Sequence, residues 1–213
     1  MKDMYYFTTL PRGDHTFPFD VTDAHPGCVL FNCPVCETQG VWPKARSERT
    51  DIEIRIRDVG VLEDIEQVFT SFIVSKKFVR ACQSAKLSGI EFYRPLRYLV
   101  DTNRSGADEL VLRCQNEMKY RAIDITGRGG SIAQTSNLKL LKACTACGWE
   151  EWSSPQNGIF IDEQQWDGSD FFFVNEIDMI LMTDQAVRIL NNAKLSNFGT
   201  QPAEDYRPWS AGQ

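Results

Sequence analysis

The 213-residue chain is predicted to be an α+β protein of mainly antiparallel sheet, internally duplicated, with one strand–helix unit per half. Three observations predict this. A strand-then-helix segment occurs twice at constant spacing, a CxxC pair precedes each copy, and the rest is short apolar or alternating runs broken by Gly- and Asn-containing turns. The expected organisation is one compact unit of two related halves, 1–107 and 108–213. The CxxC pairs at 33–36 and 144–147 join them as a zinc-ribbon-like clamp.

The repeat aligns residues 74–89 with 182–197 at an offset of 108, with Val, Arg, Ala, Lys, Leu and Ser at identical places. In each copy a short apolar run, 71–74 or 179–182, reads as a strand. The hydroxyl of Ser75 or Thr183 follows where a helix N-cap belongs. Helices are expected at about 76–87 and 184–195. Their buried faces would hold Phe78, Val79, Cys82 and Ala85 in one and Ala186, Val187, Leu190 and Ala193 in the other, at spacings of three and four. Gly89 and Asn197, the residue types that most readily turn left-handed, stand at the same place beyond them.

Before the first unit, residues 51–57 alternate as a half-buried strand does. Between the units, 90–100, 109–114 and 118–125 read as strands, separated by turns at 103–106 and 127–130. In the second half, 158–161 and 170–174 complete the sheet.

Seven cysteines, an odd number, favour metal binding or burial over a disulfide framework in a reducing compartment. The start of the chain lacks an apolar segment with a small-residue cleavage site, and no run spans a bilayer, so the expected location is the cytoplasm, without membrane insertion. Cys33, Cys36, Cys144 and Cys147 suit a structural Zn2+ held by four thiolates, provided the two turns face each other. Other readings stay open at this point. A redox pair would need a helix start beside a βαβ unit; a local site could use His25, Cys28, Cys33 and Cys36; and reduced cysteines can pack as small hydrophobes, as expected for Cys82 and Cys114.

A closed four-cysteine site leaves no position for substrate, and no catalytic residues are identified. The two histidines, His15 and His25, stand in a Pro-containing N-terminal stretch. The glycine-rich 127–130 is not followed by the Lys-Ser/Thr of a phosphate loop and reads as a hairpin loop. The net charge of −6 is uneven: from Thr145 onward eleven acidic residues face Arg188, Lys194 and Arg207. That asymmetry disfavours nucleic acid and suits either a solvated surface or a basic protein partner.

The two CxxC pairs, Pro26-Gly27 ahead of the first, Asp170-Phe171-Phe172 followed by Met179-Ile180-Leu181-Met182-Thr183, and the helix through Leu195 resemble the double-CXXCG motif proteins of myxobacteria and other bacteria. Ile73-Val74-Ser75 and Leu87-Ser88-Gly89 resemble the family's first-half counterpart. The second motif, Cys144 to Gly148, is complete; the first has Glu37 where glycine is expected, with Gly40 only later. Several members are immunity proteins against contact-delivered toxins. The resemblance therefore implies a cytoplasmic, non-catalytic immunity protein that binds and neutralises one cognate toxin. A zinc-ribbon nucleic-acid-binding or regulatory module is the alternative, resting on the cysteine pairs alone. The expected partner surface is Trp149, Glu150, Glu151, Trp152, Asp162, Glu163, Trp166, Asp167 and Asp170, where aromatic anchors alternate with carboxylates. The same tryptophans could equally serve as core cover.

Overall fold

Apolar runs capped by hydroxyl residues build the centre of the molecule. The computed structural model describes residues 3–8, 19–21, 28–37, 39–43, 53–56, 63–68, 71–93, 97–100, 107–177 and 179–207. The strands are β1 (Met4–Thr8), β2 (Phe19–Val21), β3 (Cys28–Asn32), β4 (Gln39–Pro43), β5 (Glu53–Ile56), β6 (Ile65–Val68), β7 (Ser71–Val74), β8 (Ile90–Tyr93), β9 (Arg97–Val100), β10 (Arg121–Ile125), β11 (Gly127–Arg128), β12 (Leu140–Ala143), β13 (Glu150–Trp152), β14 (Phe171–Phe173), β15 (Leu181–Thr183) and β16 (Gly199–Pro202). The α-helices are α1 (Lys76–Ala85), α2 (Ala107–Arg113) and α3 (Asp184–Asn192). The protein is thus mixed α+β, with several antiparallel sheets and few helices among the described residues.

Two sheets share one plan. One has the order β6-β7-β10-β8, and the other β11-β14-β15-β1-β16. In the first, β10 runs antiparallel between β7 and β8; in the second, β1 runs antiparallel between β15 and β16. The register agrees as well. Ala122 lies opposite Ile73 and Tyr93, and Tyr6 lies opposite Leu181 and Gln201, the latter pair each 108 residues on. Each sheet therefore takes one inner strand, β10 or β1, from the other half of the chain. The remaining strands form the three-stranded β2-β5-β9 and the hairpins β3-β4 and β12-β13.

The helices begin as their caps require. Ser75 and Thr183 are extended, and their hydroxyls accept from the amides of Phe78 and Ala186. The helices pack on each other, and Phe78, Cys82, Ala186, Val187 and Leu190 are buried in one cluster with Phe7, Ile65, Val74, Phe171 and Met182 from the two sheets. The first left-handed residue after each helix is a lysine, Lys86 at φ 54° and Lys194 at φ 50°; Gly89 and Asn197 follow at φ 78° and 56°.

Several expected elements differ. Residues 109–114, read as a strand, lie in α2 and the π-helical turn Cys114–Met118 that continues it. The short run Leu-Val-Leu fits either period; helical spacing puts Val111 and Cys114 on one side and leaves Leu112 exposed. The run 90–100 is two strands in different sheets, and 118–125 is a strand only from Arg121. Residues 158–161 form no strand beyond one bridge between Ile161 and Ile132: Gly158 turns at φ 93°, the Ile159 amide donates to the Ala203 carbonyl, and the Phe160 amide donates to the Ser136 hydroxyl. The glycine-rich 127–130 is not a hairpin loop: Gly127 and Arg128 form β11, parallel to β14. A Cβ on Gly127 would stand 2.1 Å from the Phe171 carbonyl oxygen, so glycine is what admits the neighbouring strand. Residues 103–106, His15, His25, Pro26 and Gly27 lie outside the described residues.

Candidate metal centre

Both CxxC pairs sit at the turn of a two-stranded hairpin. Strand β3 leads into Cys33 and returns as β4; β12 leads into Cys144 and returns as β13. The turns close alike: the Glu37 amide donates to the Cys33 carbonyl at 2.9 Å, and the Gly148 amide to the Cys144 carbonyl at 2.7 Å. Glu37 is left-handed at φ 56°, as Gly148 is at φ 73°. The first turn thus has the geometry of the complete motif although glutamate replaces glycine. The Val35 amide also points at the Cys33 sulfur, 3.4 Å away.

The turns face each other. Cys33 Sγ is 3.8 Å from Cys144 Sγ, and Cys36 Sγ is 3.7 Å from Cys147 Sγ. All four sulfurs lie within 4.8 Å of one another, a group that can hold a metal ion. Cys33 and Cys144 are buried, at 2% and 7% exposure, while Cys36 and Cys147 are half-buried. Desolvation pushes the Cys147 thiol up to about 12; a hydrogen bond from the Trp149 backbone opposes this and the neighbouring cysteines reinforce it. A divalent cation reverses that balance by favouring thiolate, so loading releases protons. Cys82 and Cys114 lie buried away from the cluster. Burial pushes Cys82 and Cys114 up to about 12.

Two polar junctions not anticipated from sequence tie the sheet–helix units together. The Asp64 carboxylate accepts from the Ser75 hydroxyl at 2.5 Å and from the Ser196 amide at 3.0 Å and hydroxyl at 3.4 Å. The Asp170 carboxylate accepts from the Thr183 hydroxyl at 2.9 Å and from the Ser88 amide at 2.9 Å and hydroxyl at 3.1 Å. Each aspartate amide donates back to the far serine, and each aspartate carbonyl accepts from the amide of its own helix cap. Each aspartate thus binds the cap of its own unit and the serine after the other helix. Burial raises the Asp64 pKa, but hydrogen bonds from Ser75 and Ser196 and the Lys77 ammonium at 3.4 Å outweigh it, holding the carboxyl below its ordinary range. The identical Ser88 and Ser196 in the repeat were the available signal. The aspartates do not align in the repeat, because their spacing of 106 differs from the helix offset of 108.

The expected partner residues fall into two groups. On the second hairpin, Trp149 and Trp152 are half-buried, the Trp152 indole donates to Glu150 at 3.0 Å, and Glu151 pairs with Lys142 at 3.1 Å. In the segment before β14, Asp162 accepts from Gln164 and Gln165, and Glu163 is exposed. Trp166 donates to the Ser169 carbonyl and packs against Phe172 with ring centroids 5.7 Å apart. Asp167 accepts from the amides of Arg128 and Ser169, and Asp170 belongs to the junction above. Trp166, Asp167 and Asp170 therefore have internal structural contacts.

Neither protein-family models nor curated proteins give a match to this chain. Among the described residues, no helix is long and apolar enough to cross a membrane.

Proposed function

We propose that the chain is an immunity protein, arisen by internal duplication, that neutralises a cognate toxin through a non-catalytic interface and is held in shape by a structural zinc ion. The observation that carries this reading is the meeting of the two CxxC turns, the motif of the resemblance, as one four-sulfur group. Zinc–thiolate bonds of about 2.3 Å give a tetrahedron with edges of about 3.8 Å. The cross-hairpin separations of 3.7 and 3.8 Å match it. Cys33, Cys36, Cys144 and Cys147 would hold the ion, which supplies a cross-link and no open position for hydrolysis.

The partner surface proposed is acidic. Glu150 and Glu163 are exposed, and Asp3, Glu163 and Glu204 stand together around a small recess floored by Ile159 and Ile161. Such a surface suits a basic toxin and speeds encounter with it. The test is co-purification with the protein encoded beside this gene. A stoichiometric complex that weakens with added salt and inhibits that protein's toxicity is expected. Absence of a complex, with a low-salt gel shift of DNA or RNA instead, would replace the proposal with the zinc-ribbon nucleic-acid reading.

A further inference from the structure

We infer that the outer sulfurs, Cys36 and Cys147, form an oxidation site at which a peroxide exchanges the metal cross-link for a covalent one between the two hairpins. The inference rests on the metal reading for the thiolate state of the sulfurs and for what is released; which sulfurs pair follows from their arrangement. Of the four, Cys36 and Cys147 are the half-buried pair, and they lie 3.7 Å apart across the hairpin boundary. Cys33 and Cys144 are buried beneath them. A small oxidant therefore meets the outer pair first.

The chemistry balances with hydrogen peroxide as oxidant. One outer thiolate attacks a peroxide oxygen, the O–O bond breaks, and the departing hydroxide takes a proton to become water. The resulting sulfenic acid is attacked at sulfur by the other outer thiolate, forming the S–S bond and expelling a second hydroxide, which is likewise protonated. Two thiolates are oxidised by two electrons and one peroxide is reduced to two waters. With Cys36 and Cys147 joined, only Cys33 and Cys144 would remain to hold an ion, two ligands where a four-cysteine site needs four.

Which sulfurs pair decides the consequence. A disulfide within either CxxC would let the hairpins separate once the ion has gone. A bond from Cys36 to Cys147 joins residues 111 apart in sequence and keeps the hairpins together. The oxidised protein would remain clamped, so loss of metal under peroxide would leave the two hairpins joined, whereas removal by a chelator would leave no bond between them.

The experiment uses the full chain as purified, titrated with hydrogen peroxide and then alkylated. Metal release is followed with a chromogenic chelator and disulfides are mapped by peptide mass spectrometry without reduction. The expected first product is a peptide pair joined through Cys36 and Cys147, appearing in step with metal loss. A first product closed within either CxxC, or metal loss without a disulfide, would overturn the inference. If the purified protein holds no metal, the zinc reading fails separately; the same disulfide map then decides the oxidation site.

Discussion

The two sheet–helix units can be compared position by position. What is held constant is backbone geometry and the polar junction; what varies is side-chain size. Phe78 and Cys82 on α1 stand where α3 has Ala186 and Leu190, and all four are buried at 1% or less. A large residue on one helix thus corresponds to a small one on the other, in the same cluster. A close-packed interior requires a filled volume and tolerates exchange of who fills it. The junction permits no such exchange, because the buried Asp64 and the half-buried Asp170 would each lose several charge-assisted hydrogen bonds. The two CxxC turns teach the same lesson: hydrogen bonds and left-handed φ persist while Gly148 and Glu37 differ.

The largest expected effect tests whether the hairpins depend on one shared centre. Zinc in small structural sites contributes about 10 kcal/mol or more to folding. The two-stranded β12-β13 has all four β12 residues exposed, so it has little else to hold it. Metal analysis should find one ion per chain, lost on Cys33→Ser and equally on Cys144→Ser. Retention after either change would break the equivalence of the turns.

Next come the junctions. Asp64→Ala should cost about 3 kcal/mol and Asp170→Ala about 2 kcal/mol in denaturant unfolding, from lost charge-assisted hydrogen bonds. Asp64 ranks first because it is the more buried and also faces Lys77. A negligible cost at either would show that the matching geometry is not matching energetics.

The same contact sets a pH dependence. Because the folded-state pKa of Asp64 is lowered, its stabilisation is complete above about pH 4, where an unfolded aspartate is ionised. It is lost as pH falls through the lower folded value. Urea midpoints measured down the acid range should fall less steeply in Asp64→Asn than in the parent.

The smallest effect sharpens the comparison of the turns. Glu37→Gly should stabilise by about 1 kcal/mol by relieving a left-handed non-glycine residue. Gly148→Ala should cost about the same, since nothing within 4 Å would obstruct the added Cβ and only φ is strained. Thermal midpoints of the metal-loaded protein moving in opposite directions would bear this out.

The sequence by itself determined the elements whose cause is local. The caps Ser75 and Thr183, the helices after them and the strands before them follow from residues adjacent in the chain. Identities at an offset of 108, from Val79 and Val187 to Ser88 and Ser196, also align the two units in the sequence itself. Short apolar runs carried less. Leu110-Val111-Leu112 suits strand or helix equally, and helix α2 occupies it. Glycines 127 and 129 read as a turn but serve close strand approach, a demand set by β14 some forty residues away. Tertiary structure alone decided the exchange of inner strands, since alternation in β1 or β10 fits any sheet edge of the right length. It likewise decided that Cys33 meets Cys144 and Cys36 meets Cys147. CxxC spacing fixes how two sulfurs sit on one turn, whereas bringing two turns together depends on packing across the whole chain.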